Sequence, residues 1–405
     1  MNVIRIIGLM LIVLLLSACS GDGESSETKQ SPVISIYVYS PAKPIITRAG
    51  TEEVAPISNT ESESIITKLQ IWVFRHDTGD LVAYYEPESV ANLNGENATG
   101  ATYQLSVSEA FANALAEATS VESRPRVDVF VVANAASCSL TFTESTTKDD
   151  LKDALINTGY FGLGTLTDKV PTTGLPMSGV LNNVEIGGSS PVYRVGKTEL
   201  QKVKLTRAVS KIRFIFCREK PADSDGMPIS INSITLNEGM IPTSEYLFLK
   251  TDEDLAPGED AKPYHIGSFA TGDAKEFLSQ TLSDICKSTD PLKYLYQSQT
   301  AQAYEKLIEE GLTATEPELT QVGPFYLRES DKRLAGKIWY QKQGDTEKSV
   351  NFEMDKDLYD AGAYEFSRNH TWIVYAYYSK SGLVAVSVVL KDWTDTEIAR
   401  EVYNW

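Results

Sequence analysis

Apolar and polar residues alternate along much of this 405-residue chain, which is the pattern of half-buried β-strands. Residues 127–134, Val-Asp-Val-Phe-Val-Val-Ala-Asn, are the most apolar run of the first half and predict a central strand. The Asp-Thr-Gly-Asp turn at 77–80 joins residues 65–74 to residues 81–85 as a hairpin. Further strands are predicted over residues 103–107, 203–216, 229–236, 245–249, 325–328, 333–341, 350–354, 371–378 and 383–390.

Helical spacing of apolar residues is confined to a few segments. Residues 107–118 predict one helix, and a second is expected to begin at the N-cap Thr147 and end at Gly159. Residues 275–287 and 292–312 predict two more, and residues 171–188 read as a loop. Because strands succeed one another without regular strand–helix–strand units, the chain is predicted to be mainly β, built as antiparallel sandwiches with a few inserted helices.

One alternating segment stands apart, close to the N-terminus. Residues 33–39, Val-Ile-Ser-Ile-Tyr-Val-Tyr, predict a strand. Its two faces carry Ile34, Ile36 and Val38 on one side and Val33, Ser35, Tyr37 and Tyr39 on the other. Residues 40–60 are rich in Pro, Ser, Thr and Glu, so they form a tether that is open to proteases. A cut between Arg48 and Ala49 would separate the strand from the rest of the chain.

The first nineteen residues have the layout of a bacterial lipoprotein signal. An apolar run over residues 6–16 follows Arg5 and leads into Leu-Ser-Ala-Cys at 16–19. The run is shorter than the roughly 20 apolar residues that a bilayer-spanning helix needs. Acyl chains on Cys19 would hold the precursor at a membrane surface. We therefore expect an exported, lipid-modified protein.

Length and charge narrow the classes of protein further. A chain of 405 residues exceeds the size at which one core usually keeps growing, so two domains are expected. The predicted divisions are residues 1–18, 19–48, 49–195 and 196–405: signal peptide, propeptide, N-terminal domain and C-terminal domain. The formal net charge of −18 argues against binding to nucleic acid, which requires clustered Lys and Arg.

No catalytic or metal-binding pattern emerges, so neither a cofactor nor enzymatic activity is expected. The three histidines, His76, His265 and His370, are not at metal-ligand spacing. The acidic stretch at 251–254 lacks the glycine and the terminal glutamate of a calcium loop, and there is no nucleophile elbow. The remaining cysteines, Cys138, Cys217 and Cys286, allow one disulfide, although buried free thiols are the favoured interpretation.

Several short motifs, taken in order, resemble the fimbrillins of the type V pili of Bacteroidia. They are the Leu-Ser-Ala-Cys sequence at 16–19, the strand before Arg48, Ile-Trp-Val-Phe at 71–74, Val-Val-Ala-Asn at 131–134, Leu-Pro-Met-Ser-Gly at 175–179, Leu-Thr-Arg-Ala-Val-Ser-Lys-Ile at 205–212, Phe-Tyr-Leu-Arg-Glu-Ser at 325–330, Arg-Asn-His at 368–370 and Lys-Asp-Trp at 391–393. Each motif is weakly specific, but the ordered set extends over essentially the whole chain.

This resemblance implies two transthyretin-like sandwich domains and a polymerising mechanism. In that mechanism the lipidated precursor reaches the outer membrane, an Arg-specific protease removes the N-terminal strand, and a C-terminal strand of another subunit fills the exposed groove. The mature subunit would belong to an extracellular fimbrium and support adhesion to a host or bacterial surface. In the C-terminal tail, 394–405, the candidate anchors are Ile398, Val402 and Trp405.

Two alternatives stay open on the sequence alone. Anchor and tip subunits of the same family can keep their lipid or lack an exchanged strand, and Arg48 also suits any lipoprotein tether. A non-polymerising surface lipoprotein could instead bind glycan or protein. Its candidate sugar platform is a set of aromatic residues, although such residues on strands more often pack in a core: Tyr84, Tyr85, Tyr160, Phe161, Tyr377 and Tyr378.

Overall fold

The computed structural model describes residues 31–40, 63, 65–94, 100–156, 174–218, 229–240, 242, 244–248, 275–278, 282–285, 320–330, 332–353, 368–379 and 382–392. Within these ranges the protein is mainly β, with short helices between the strands. The helices are α1 (Glu109–Glu117), α2 (Lys148–Lys152) and two single 3-10 turns, Ala91–Leu93 and Ala135–Cys138.

The strands follow one another along the chain as the alternation of apolar residues predicts. In the first half they are β1 (Val33–Tyr39), β2 (Leu69–Arg75), β3 (Leu81–Tyr85), β4 (Ala101–Ser106), β5 (Val127–Ala133), β6 (Leu155–Ile156), β7 (Met177–Val184), β8 (Ile186–Ser189), β9 (Val192–Val195), β10 (Lys202–Lys204) and β11 (Thr206–Arg207). In the second half they are β12 (Ser210–Arg218), β13 (Ile229–Leu236), β14 (Glu245–Tyr246), β15 (Lys275–Leu278), β16 (Leu282–Ile285), β17 (Thr320–Leu327), β18 (Ala335–Lys342), β19 (Lys348–Glu353), β20 (His370–Ser379) and β21 (Gly382–Asp392).

Two sheets of the first half enclose one apolar cluster. Sheet 1 contains β4, β1, β9, β10 and β8, and sheet 2 has the order β11-β7-β5-β2-β3. Their facing side chains form a continuous core with α1, which contributes Phe111 and Leu115. Every second residue of β4 is buried, because the side chains on one face of sheet 1 point into this core.

Two further sheets in the second half enclose a separate cluster. Sheet 3 has the order β17-β12-β20-β21, and sheet 4 contains β15, β16, β13, β18 and β19. Aromatic rings pack between them: Phe214 meets Phe352 edge-on, with 5.3 Å between ring centroids. The short strands β6 and β14 pair with each other and so join the two halves of the chain.

Sheet 2 is buried on its outer face as well as its inner one. Trp72, Phe74 and Phe130 point away from the first cluster and pack against the segment that includes α2. Leu247 and Phe248, from the second half, complete this layer, and the Phe130 and Phe248 ring centroids lie 5.1 Å apart. Burial on both faces explains why β5 is apolar at nearly every position.

Most predicted strands are confirmed, but the pairing is not purely antiparallel. β1 runs parallel to β9 and β10, and β12 runs parallel to β20. Alternation within a strand reports which side chains face the core, but it carries no information about the direction of the neighbouring strand.

The structure corrects three predicted segments. Residues 275–287 contain two strands, β15 and β16, and not a helix, because both pair with β13. Residues 171–188 contain β7 and β8, whose Gly and Asn residues hid the alternation. The helix at Thr147 does begin with the predicted cap, closed by Asp150, but it ends at Lys152. The predicted helix at 292–312 lies outside the described residues.

Candidate assembly groove and buried polar junction

Strand β1 lies in the middle of sheet 1 and is hydrogen-bonded along both edges. β4 runs antiparallel along one edge over six residue pairs. On the other edge, β9 pairs in parallel with the first half of β1 and β10 with the second half. Val33 N donates to Pro191 O and Leu205 N donates to Tyr39 O, both at 2.9 Å. Without β1, two rows of peptide groups would face a gap about 23 Å long, at about 3.3 Å per residue.

The inward face of β1 completes the first apolar cluster. Ile34, Ile36 and Val38 each have 0% exposure and lie among the side chains of sheet 2. Full burial of an aliphatic side chain of this size contributes about 1.5–3 kcal/mol. The furrow that β1 fills is therefore apolar at three positions, each two residues apart.

The outward face of β1 carries two partly buried tyrosines. The ring centroids of Tyr37 and Tyr39 lie 6.5 Å apart, and Lys202 Nζ lies 5.5 Å from the Tyr37 ring centroid. Tyr37 packs directly over Gly100, which has a φ of +146°; a Cβ there would lie 2.7 Å from the tyrosine Cζ. Gly100 is thus required beside β1, although nothing in the sequence singled it out.

A second feature is a buried carboxylate, Glu63, between the two halves of the chain. Its side chain has 0% exposure, and Oε2 accepts from Lys211 Nζ at 2.9 Å, also with 0% exposure. The Tyr326 hydroxyl donates to Oε1 at 2.7 Å. Both partners belong to sheet 3, on β12 and β17. Glu63 therefore ties the segment that precedes β2 to the second half of the chain.

Arg207 extends this contact toward β20. Its Nε donates to the Glu63 main-chain oxygen at 3.1 Å and its Nη1 donates to Asn369 Oδ1 at 3.0 Å. Burial lowers the pKa of the Arg207 guanidinium to about 10, against the opposing effect of the Glu63 carboxylate. Asn369 has a φ of +61° and its N–H donates to Val209 O at 2.8 Å. The network around Glu63 thus holds Asn369 in a left-handed backbone conformation.

Two further buried carboxylates, Glu329 and Glu245, lie near Arg368, and Glu329 is the one that it hydrogen-bonds. Glu329 Oε1 accepts from Arg368 N at 2.8 Å and Oε2 from Arg368 Nη2 at 2.6 Å. Glu245 Oε2 accepts from Glu329 N at 2.8 Å. Burial raises the pKa of Glu245 to about 8, although Arg368 opposes the shift. Arg368 also donates to Leu247 O and Tyr246 O, at 2.8 and 2.7 Å.

These buried polar side chains form one set between the two halves of the chain, which we call the junction: Glu63, Arg207, Lys211, Glu245, Tyr326, Glu329, Arg368 and Asn369. Most of them come from three segments that are distant in the chain, 205–212, 325–330 and 368–370. The junction thus gives a structural role to these three motifs. In the sequence alone, their significance was only their resemblance to motifs of a known family. Glu63 itself was missed, because a single acid in a polar stretch shows no periodicity that would mark it as buried.

Of the predicted site residues, the structure describes only those of β1. Val33, Ile34, Ile36 and Val38 lie together in the middle of sheet 1. The predicted lipidation site Cys19, the predicted cleavage pair Arg48 and Ala49, and the tail residues Ile398, Val402 and Trp405 lie outside the described residues. Among the proposed sugar-platform aromatics, Tyr84 donates to Glu86 and packs on Trp72, with 5.3 Å between ring centroids, while Tyr85 is 36% exposed.

Chemical groups elsewhere in the described part have structural partners. His76 Nδ1 lies 2.8 Å from Asp128 Oδ1, and His370 Nδ1 lies 2.8 Å from Arg368 O. Cys138 is a buried thiol that donates to Ala135 O at 3.2 Å, and burial raises its pKa to about 12. Across the described ranges, no group of three or more potential ligands could hold a metal ion. None of the helices described there is long and apolar enough to cross a membrane.

Comparison with known proteins gives one family match. Residues 47–210 match the family described as major fimbrial subunit protein (FimA). Those residues include Glu63, most of sheets 1 and 2, and the 205–210 part of the junction. No curated protein matches the chain.

The chain is also similar to several solved structures. A proposed cell adhesion protein from Parabacteroides distasonis is 14% identical, with a TM-score of 0.47, covering 89% of this chain and 96% of that one. The C-terminally truncated tip fimbrial protein Mfa3 from Porphyromonas gingivalis is 14% identical, with a TM-score of 0.42 and coverages of 90% and 100%. The fimbrial anchor protein Mfa2 from the same species is 9% identical, with a TM-score of 0.36 and coverages of 89% and 98%.

Proposed function

We propose, from the match of residues 47–210 to the major fimbrial subunit (FimA) family, that this protein is a fimbrial subunit that polymerises by exchanging β1 for a strand of a neighbouring subunit. The match supports a non-enzymatic fimbrial subunit of the cell surface. The observation that supports exchange is the position of β1, which is central in its sheet yet far from its neighbours in sequence.

Excision of β1 would leave every other described strand of sheets 1 and 2 on one continuous chain. β2 begins at Leu69, and it lies in the opposite sheet. Proteolysis between Arg48 and Ala49 would therefore free β1 without cutting another of the described strands. The remaining furrow would expose peptide groups on two edges and the apolar positions of Ile34, Ile36 and Val38, which another strand can fill by β-augmentation.

The main chain of the furrow would accept a strand in either direction. β4 runs antiparallel to β1, whereas β9 and β10 run parallel to it. An incoming strand therefore has one parallel and one antiparallel neighbour, whichever way it enters. Because the edges do not select a direction, side-chain fit must select both direction and register.

We propose the C-terminal tail, 394–405, as the incoming segment. Ile398 and Val402 are four residues apart, as Ile34 and Val38 are, so they share one face of an extended strand. Trp405 falls on the opposite face, where β1 carries its tyrosines. Arg400 shares the face of Ile398, and its charge opposes entry into an apolar furrow. Arg400→Val should therefore tighten binding of a tail peptide.

Export and maturation complete the proposed scheme. Residues 1–18 act as the signal peptide, Cys19 is lipidated, and residues 19–48 leave with the lipid after an Arg-specific protease cuts. In this scheme the two pairs of sheets would be two transthyretin-like sandwich domains, 49–195 and 196–405, although β10 and β11, which lie beyond residue 195, belong to sheets 1 and 2. The partners are other fimbrial subunits and the outer membrane.

The first experiment is N-terminal sequencing with intact-mass measurement of protein sheared from native cells. A start at Ala49 in a high-molecular-weight species supports the proposal. A lipidated Cys19 start on a monomer contradicts it and indicates an anchor or binding subunit. Deletion of 394–405 should abolish polymer while the monomer still unfolds cooperatively, and unaffected rods would exclude this tail as the incoming strand.

A further inference from the structure

A groove of about 580 Å³ opens at one end of the first two sheets. It lies beside the turn that follows β2, against the C-terminal end of α1 and the segment that leads into β5. Its lining carries three arginines, an unusual concentration of positive charge for a chain of net charge −18: Arg75, Arg124 and Arg126. The volume is within the range of pockets that bind small ligands, about 300–1,000 Å³.

Two of these arginines are held in place by main-chain oxygens. Arg124 Nη1 donates to Ile186 O and to Gly188 O, both at 3.0 Å, and its guanidinium carbon lies 5.4 Å from the Tyr193 ring centroid. Arg126 donates to Asn183 O from Nε at 2.9 Å and also from Nη2. Both guanidinium groups are therefore positioned before any ligand arrives.

Arg126 has only a long ion pair with a carboxylate, and Arg124 has none among the described residues. Arg75 is neutralised by Asp77, through bonds of 2.7 and 3.0 Å. By contrast, the nearest carboxylate oxygen to Arg126 belongs to Glu185, at 3.9 Å, and among the described residues Arg124 has no ion pair. Fixed guanidinium groups with donors to spare are the usual recognition element for carboxylates and sulfates.

The rest of the lining indicates what the anion is attached to. Asp77 and Glu117 border the groove as hydrogen-bond acceptors, Thr119 adds a hydroxyl group, and Ala118 and Pro125 provide small apolar surfaces. A polyanion such as nucleic acid would be repelled by these carboxylates and by the net charge of the chain. A single acidic group on a body rich in hydroxyls can use both kinds of partner.

We propose that this groove binds an acidic sugar, with Arg124 and Arg126 holding the sugar carboxylate and the rim acceptors holding its hydroxyls. No residue that lines the groove lies on β1, although Tyr193, which packs against Arg124, lies on β9 beside β1. The site would therefore serve in the precursor, and in a polymer in which another strand takes the place of β1. It would give the subunit an adhesive function directed at carboxylate-bearing glycans, which the family match does not specify.

The test is saturation-transfer NMR and calorimetry on the protein purified from native cells, with N-acetylneuraminic acid and glucuronic acid as probes. Both acids should bind, while neutral glucose should not. Arg126→Gln, at the exposed rim, should weaken binding about tenfold or more, as expected for loss of a charge-assisted hydrogen bond. Arg124→Gln should have at least as large an effect, provided that its thermal unfolding matches that of the unaltered protein.

Arg333→Gln is the matched control, because Arg333 is a partly exposed arginine that pairs with Glu353 on sheet 4, outside the groove. It should leave binding unchanged. Absence of binding by both acids, or equal weakening by the control, would overturn the proposal. Inorganic sulfate that binds as tightly as the acidic sugars would mean an adventitious ion only, and would overturn it as well.

Discussion

The β1 furrow and the junction are both fully buried, but they are built from opposite kinds of contact. The furrow presents apolar pockets and main-chain edges, which any strand of suitable pattern can satisfy. The junction consists of charged and polar side chains, each with particular partners at particular distances. Apolar packing tolerates replacement of one segment by another, whereas a buried polar network tolerates almost none. The furrow is therefore suited to exchange of one strand for another, whereas the junction is suited to contacts that stay unchanged.

The largest expected effect on the free energy of unfolding comes from a substitution in the junction. Glu63→Ala leaves the Lys211 ammonium group buried without its carboxylate, so the free energy of unfolding should fall by about 3–5 kcal/mol. Urea unfolding measures the change. The double variant Glu63→Gln with Lys211→Met should recover much of the loss, because it removes the buried ammonium group together with the Glu63 carboxylate. Equal loss in the single and double variants would show that this ion pair does not hold the halves together.

Truncation in the furrow should have a somewhat smaller effect. Ile36→Ala in the precursor removes a fully buried aliphatic group, at a cost of about 2–5 kcal/mol in unfolding free energy. Thr102→Ala is the matched control, since Thr102 is exposed on β4 opposite Tyr37 and should change stability by at most about 0.5 kcal/mol. Similar losses for both variants would contradict the inward orientation of Ile36.

The pH dependence of stability sharpens the comparison. The junction contains a carboxyl group with a raised pKa, whereas the furrow is lined by apolar side chains. Glu245 keeps its proton in the folded state up to about pH 8, whereas the ordinary pKa of a glutamate is 4.5. The folded state therefore binds the proton more tightly, and this stabilisation is complete below about pH 4.5 and is lost as the pH rises to 8. The slope is at most about 1.4 kcal/mol per pH unit.

Glu245→Gln should remove that loss, so its unfolding free energy should fall less between pH 5 and pH 8 than that of the unaltered protein. Glu329, Arg368 and Arg328 also act on this carboxyl group. Glu329→Gln removes the negative charge that raises the pKa of Glu245, so Arg368 should then lower that pKa. Parallel stability curves for all three proteins would rule out a protonated Glu245.

The smallest effect concerns the outward face of β1. Lys202→Gln removes the cation above the Tyr37 ring and should cost about 0.5–1 kcal/mol in the precursor. The same substitution should have no effect in protein that starts at Ala49, because Tyr37 would be absent. Thermal unfolding of both forms measures the difference. A larger cost than that of Ile36→Ala would reverse the assignment of inward and outward faces.

Local pattern predicted the furrow well and the junction hardly at all. β1 and β5 were recognisable because alternation or continuous apolar character is a property of a few neighbouring residues. The junction depends on side chains more than 140 residues apart, such as Glu63 with Lys211, and single polar residues give no sign of burial. Residues 275–287 were assigned the wrong element for a related reason: their apolar spacing suits a helix, and pairing with β13 decides otherwise.

The hydrogen bonds on both edges of β1 also have a mechanical consequence. Bonds between strands lie across the strand axis, so a pull along that axis loads many of them simultaneously, whereas a pull from the side opens them one after another. A strand of a neighbouring subunit seated between β4 and the β9–β10 edge would be loaded in the first way from both sides. A filament joined at this position would resist tension along its length far better than peeling, as a fibre under fluid shear requires.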